Sequence, residues 1–187
     1  FSGELYVSEI QVLTELSQIR LRTNMFLDNS NYNHLITEVL DNSLDEVING
    51  YAKNVALDIE EDIFTITDDG RGIQISQIEM PDGSIEDSVV AICTKLFSSG
   101  KFNQNNYEKS IGLHGVGLTV VSALSHWLRI LVRNREDKKK FTEYNFVNFE
   151  LKGKDEFTEL EEIPWATIVS FRPNKEYFKS DELDIEK

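Results

Sequence analysis

Apolar residues along this chain recur with two periods. Between Tyr32 and Ile48 they return every three or four residues: Leu35, Ile36, Val39, Leu40, Leu44, Val47 and Ile48 make a stripe wide enough to be buried against a sheet. This predicts a long helix over residues 32–48, ended by Gly50. Further helices are expected over 10–22, 88–97 and 116–125. Elsewhere the period is two. Val55, Leu57 and Ile59 alternate as a strand, and the run 63–67 should pair with it through a turn at Glu61-Asp62. Other strands are expected over 128–133, 141–151 and 167–172. Residues 98–111 are polar, contain glycine and show no period, which reads as a mobile lid. With no internal repeat and no linker, the pattern implies a single α+β domain over 1–187. It should be a two-layer sandwich, with helices on one face of a mixed, mainly antiparallel sheet.

Composition changes this picture little. The chain has 187 residues, 40% of them apolar, enough for a sizeable core, and no apolar run suits a membrane span. A single cysteine, Cys93, forbids an internal disulfide and fits a reducing cytoplasm; its helical setting favours a packed thiol over a nucleophile. His34, His114 and His126 have no zinc-like spacing. The net charge of −14 is more informative, because gripping DNA phosphates requires clustered Lys and Arg. The basic run Lys138-Lys139-Lys140 reads as a hairpin turn, so any contact with DNA must come mostly from other parts of a larger protein.

Candidate chemistry begins on the long helix. Glu38, Asn42 and Asp45 are spaced four and three residues apart and share one side of it. A carboxylate one turn before a carboxamide suits a site for metal and water, although such a face taken alone is more often simply solvated. Two glycine clusters follow. Thr67-Asp68-Asp69-Gly70-Arg71-Gly72-Ile73 comes directly after a strand, and Gly112-Leu113-His114-Gly115-Val116-Gly117 directly precedes the apolar run 118–124. Glycines permit close backbone approach to a ligand, and helix N-termini present N–H groups to anions. Singly, each cluster could be a turn; the second is not a P-loop, since no Gly-Lys-Ser/Thr follows.

Together, EVLDNSLDE, TDDGRGI, KLFSSGKF and GLHGVGLTVVSALS resemble the nucleotide-binding motifs of the GHKL ATPases, over roughly residues 12–173. Within that group they are most similar to the B subunits of bacterial type II topoisomerases, DNA gyrase and topoisomerase IV. Asn33-His34-Leu35 slightly favours topoisomerase IV. The resemblance implies the Bergerat ATP-binding fold, with ATP and Mg²⁺ as ligands. It casts Glu38 as general base, Asn42 as the Mg²⁺ ligand, and Asp68 as acceptor of the adenine amino group, supported by Thr167. Gly72, Ile73 and Ile92 would surround the base, Tyr107 would close over it, and Glu46 would pair with Arg71 at the rim. Asp69 would be a turn residue, and Asp45 a water-mediated contact or a solvated acid. Lys101 and the loop Gly112, Leu113, His114, Gly115, Val116 and Gly117 would hold phosphates.

The resemblance also implies ATP-driven DNA strand passage with a DNA-cleaving A subunit, DNA contacts through other domains, sensitivity to ATP-site inhibitors and a cytoplasmic location. The isolated chain should be monomeric with little turnover, because the family completes its site with a transducer lysine and dimerises with ATP through an N-terminal arm. Alternatives are an ATPase module of another GHKL branch, such as a MutL-type or chaperone module, and a non-hydrolysing nucleotide-binding module. Glu38 opposes the last of these. Departures from the family pattern, Thr23-Asn24-Met25-Phe26, Gln74 and Trp165-Ala166, touch rim geometry and inhibitor affinity. The rim arginine aligns with either Arg133 or Arg135.

Overall fold

A computed structural model of the chain describes residues 14–96, 117–159 and 161–180. The expected lid over 98–111, the start of the first helix and the glycine loop from Gly112 to Val116 lie outside the described residues.

Six strands form an antiparallel sheet. They are β1 (Val55–Glu60), β2 (Ile63–Asp68), β5 (Ser125–Arg133), β6 (Lys140–Val147), β7 (Glu150–Thr158) and β8 (Thr167–Pro173), in the spatial order β1-β2-β8-β5-β6-β7. A separate hairpin, β3 (Gln77–Glu79) with β4 (Ile85–Asp87), interrupts the chain before the third helix. Every pairing among the described strands is antiparallel, the simpler end of the expected mixed sheet. The helices are α1 (Glu15–Leu21), α2 (Asn33–Ile48), α3 (Ser88–Thr94) and α4 (Gly117–Ala123).

Alternation along the central strands explains the core. Phe64 and Ile66 of β2 face the same side as Phe171 and Val169 of β8, which in turn face Leu128 and Ile130 of β5. All six are buried, and the Phe64 and Phe171 rings lie 5.7 Å apart. Leu35, Ile36 and Val39 of α2 and Val120, Val121 and Leu124 around α4 close this core from the helical side.

Three expectations change. The stripe on α2 is buried only in its first half; Leu44, Val47 and Ile48 are exposed, and so are Leu57 and Ile59 of the edge strand β1. The single strand expected over 141–151 is a hairpin, folded at Asn148 and Phe149, both with positive φ. The third helix stops at Thr94 instead of 97, since Lys95 is extended and the Thr119 hydroxyl sits 2.8 Å from the Ile92 carbonyl and 3.0 Å from that of Lys95.

Asp87 joins three elements. Its Oδ1 accepts from the Val89 and Val90 amides and caps α3, while its Oδ2 accepts from the Tyr144 hydroxyl at 3.0 Å and Lys154 Nζ at 2.9 Å. Replacing Asp87 with Ala should lower the urea midpoint by the equivalent of about 2 kcal/mol, combining a lost cap with the unpaired hydroxyl of buried Tyr144. Asp87→Ser, which can cap but not reach Lys154, should recover only part of that loss.

Candidate functional site

The site is built where the inward alternation of β2 ends in a carboxylate. Phe64 and Ile66 are followed on the same face by Asp68, which is 4% exposed. Asp68 Oδ2 accepts from Ser43 Oγ of α2 at 3.0 Å, and Oδ1 accepts from the Gly70 amide at 3.0 Å. Across the ladder stands Thr167, buried, with its hydroxyl beside the carboxylate. The Ala166 amide donates to the Asp68 carbonyl at 2.7 Å. Burial pushes the Asp68 carboxyl above its ordinary range, and Glu46 adds to this, while the bonds from Gly70 and Ser43 and the nearby Thr167 hydroxyl partly offset it.

Its neighbour Asp69 has a different task. Asp69 Oδ1 accepts from the Lys53 and Asn54 amides at 2.7 and 2.9 Å, and Oδ2 from Asn54 Nδ2 at 2.7 Å. It is the turn residue the sequence suggested, splicing the lead into β1 onto the end of β2.

Glycines shape the floor. A Cβ at Gly70 would sit 2.8 Å from Glu46 Oε2 and 2.9 Å from Asp68 Oδ1, so the backbone passes between two carboxylates. Gly72 has φ +75°, a conformation costly for other residues, and packs near the Ala166 and Arg133 carbonyls. Ile73 and Ile92 lie half-buried against the core.

At the rim, Arg71 pairs with Glu46 through Nη2 to Oε1 at 2.6 Å and Nε to Oε2 at 3.1 Å, its own amide also donating to Oε2. The guanidinium lies 3.5 Å above the Tyr51 ring. Arg135 Nη2 donates to the Gly72 carbonyl, whereas Arg133 Nη1 is held by the carbonyls of Ile163 and Pro164. Both candidate rim arginines therefore line the same recess, with Gly70, Arg71, Asn134 and Lys138. Lys138 belongs to the turn between β5 and β6, as the basic run suggested.

On α2, Glu38 is half-buried and Asn42 exposed. Asn42 Nδ2 donates to the Glu38 carbonyl at 3.0 Å, which turns Oδ1 into the atom available to a ligand. Glu38 Oε2 lies against Gly117 at the start of α4. The structure thus gathers Glu38, Asn42, Glu46, Asp68, Arg71, Gly72, Thr167 and Gly117 around the α2–β2–β8 junction. Lys101, Tyr107 and residues 112–116 lie outside the described residues. Ser43 was missed by sequence reasoning; a serine on the apolar side of a helix was the available signal, because a buried hydroxyl there must find a partner. Cys93 is fully buried and its thiol is pushed up by burial, a core residue with no part in the site.

A family model described as histidine kinase-, DNA gyrase B- and HSP90-like ATPase matches residues 27–153. Among curated relatives, the B subunit of DNA topoisomerase 4 from Haemophilus influenzae is 38% identical over 186 residues, covering 96% of this chain and 28% of that protein. The B subunit of DNA gyrase from Caulobacter vibrioides is 37% identical over 187 residues, covering 94% and 23%. Identity does not separate the two kinds, and the chain spans about a quarter of the length of either. Among solved structures, the topoisomerase IV ATP-binding domain of Francisella tularensis with a small-molecule inhibitor has a TM-score of 0.71 at 31% identity, covering 94% of this chain and 45% of that one. The 43K ATPase domain of Thermus thermophilus gyrase B with an aminocoumarin also has a TM-score of 0.71, at 30% identity, covering 96% and 44%.

The rim pair makes a pH prediction. Burial alone would raise the Glu46 carboxyl, but the side-chain and backbone bonds from Arg71 outweigh it and hold it below its ordinary 4.5. A depressed carboxyl stabilises the fold above its unfolded value, and that contribution fades as pH falls through the lower folded value. Arg71→Met removes the guanidinium bonds and charge but keeps the backbone amide bond and Arg135, so the Glu46 titration, followed by carboxyl NMR, should move to higher pH. It should also shrink the Glu46 share of the acid-side loss of stability.

Proposed function

The chain belongs to the histidine kinase-, DNA gyrase B- and HSP90-like ATPase family, and from that premise we propose that it is the ATP-binding and hydrolysing domain of a bacterial type II topoisomerase B subunit. The observation that supports this most strongly is the buried Asp68 acceptor at the end of β2, tied through Ser43 to the helix α2 that carries Glu38 and Asn42 and followed by Gly72. Each Asp68 oxygen already accepts one bond and has room for another, so the adenine amino group can donate to it, directly or with Thr167 as support. Ile73 and Ile92 supply apolar walls, and Gly72 lets the base lie close to the backbone.

Glu38 is the general base that takes the proton of the attacking water. Its place on a packed helix fixes it better than a loop would. Among the described residues no group of three His, Cys, Asp or Glu could hold a metal. That suits Mg²⁺, which takes one or two protein oxygens and completes its shell with phosphates and water; here Asn42 Oδ1 is the fitting ligand. When bound, the ion neutralises charge on the phosphates. Lys101 and the amides of 113–117 complete phosphate binding in this reading. Hydrolysis would drive DNA strand passage in the cytoplasm with a DNA-cleaving A subunit. DNA would be gripped by other parts of the protein, in keeping with the −14 charge here.

Turnover and binding should part company at Glu38. In the full-length protein, Glu38→Ala should lose about two to four orders of magnitude in ATP hydrolysis while calorimetry with a non-hydrolysable ATP analogue shows nearly unchanged affinity. Equal losses of rate and affinity would refute the base assignment.

Asp68 and Asn42 should fail differently. Asp68→Ala should weaken ATP, ADP and adenine-site inhibitors together, by about tenfold or more for a lost bond to a charged acceptor. Asn42→Ala should weaken Mg²⁺-dependent triphosphate binding and spare inhibitors confined to the adenine pocket. Parallel loss of such an inhibitor in both variants would contradict the division of roles.

A further inference from the structure

We infer that Gly117 is a positioning residue for the general base, its missing side chain being the space in which the Glu38 carboxylate sits. This rests on the reading of Glu38 given above. A Cβ built on Gly117 would lie 2.5 Å from Glu38 Oε2 and 3.6 Å from Glu38 Cδ, while meeting Glu38 Cβ at an ordinary 3.5 Å. The clash is thus with the carboxylate and not with the stem or any backbone. A methyl group there leaves the packing of α2 on α4 intact and turns the reactive end of Glu38 aside.

Local propensity sharpens the point. Gly117, the first described residue of α4, is in helical conformation, where alanine is the better helix former. Nothing in the backbone requires glycine at this position, unlike Gly72 with its φ of +75°. A role confined to donating an amide to phosphate would not require it either, since alanine has the same N–H. The requirement comes from Glu38.

The test uses the full-length protein with Gly117→Ala, Glu38→Asp and the double variant. Gly117→Ala should keep or raise the Tm of the domain and bind a non-hydrolysable ATP analogue with Mg²⁺ within about twofold of wild type, yet lose about a hundredfold in kcat, the cost of displacing a reacting group by an ångström or so. Glu38→Asp draws the carboxylate back by one methylene and lowers kcat by itself. On that background, Gly117→Ala should cost less than about threefold more, because contacting sites are not additive. Unchanged kcat in Gly117→Ala, a Kd that rises in step with the lost rate, or full additivity in the double variant would overturn the inference. Glu38→Ala reports on the underlying assignment separately. If it stays active, the base assignment falls and takes this inference with it; if it is inactive while Gly117→Ala is active, the inference alone falls.

Discussion

Phe64, Ile66 and Asp68 point inward in succession from β2, so a strand made to bury apolar side chains delivers a carboxylate to the helix–sheet junction. A charge there is expensive unless it is bonded on several sides. The partners it demands come from separate parts of the chain: Ser43 from α2, the Gly70 amide from the following turn, Thr167 from β8. Satisfying Asp68 therefore fixes the rotation of α2 about its own axis. With Ser43 turned to the sheet, Glu46 one turn later reaches the amide and guanidinium of Arg71, and Glu38 and Asn42 fall on the flank beside α4. One buried carboxylate thus sets the relation between the surfaces proposed for base recognition and for hydrolysis.

The elements with strong periods were legible in the sequence. α2 runs to within a residue of its expected span, β1 and β2 pair through Glu61-Asp62 with Glu61 at positive φ, and β8 falls where alternation put it. What escaped has physical reasons. The run from Phe141 to Leu151 alternates without a glycine or proline, and the chain reverses at Asn148-Phe149, where Asn148 was the only cue. β7 is an edge strand, exposed on both faces, so it has no alternation to read. The β3–β4 hairpin has three residues per strand, too few to show a period. The exposure of Leu44, Val47 and Ile48 depends on what packs against that end of α2, which no local pattern contains.

The rim inverts the sign of the chain as a whole. Against a net charge of −14, Arg71, Arg133, Arg135 and Lys138 converge on one recess, with Glu46 as the paired carboxylate. Each arginine is oriented by something the fold supplies: Arg71 by Glu46 and Tyr51, Arg133 by the carbonyls of 163 and 164, Arg135 by that of Gly72. The two rim positions that the sequence could not separate do separate by tether. Arg135 is bonded to the floor of the site and acts on the Glu46 carboxyl electrostatically, whereas Arg133 is turned toward the segment leading into β8.

Four places where this chain departs from good local design coincide with the proposed chemistry. Asp68 occupies a core position that an apolar residue would fill at lower cost. Gly70 is squeezed between two carboxylates, Gly72 adopts a left-handed conformation, and Gly117 is a poor helix former within α4. Elsewhere the chain both follows the rules, with Asp87 and Thr14 capping helices and paired aromatics filling the sheet face, and breaks them, with Phe149 at positive φ and the Ser122 and Ser125 hydroxyls buried without a partner among the described residues. Natural sequences agree with their fold level by level except where function opposes stability. Asp68, Gly70, Gly72 and Gly117 nonetheless share a distinction the other departures lack, since each bears on a residue proposed for base recognition or hydrolysis: Asp68 itself, Gly70 against Asp68 and Glu46, Gly72 at the floor, and Gly117 against Glu38.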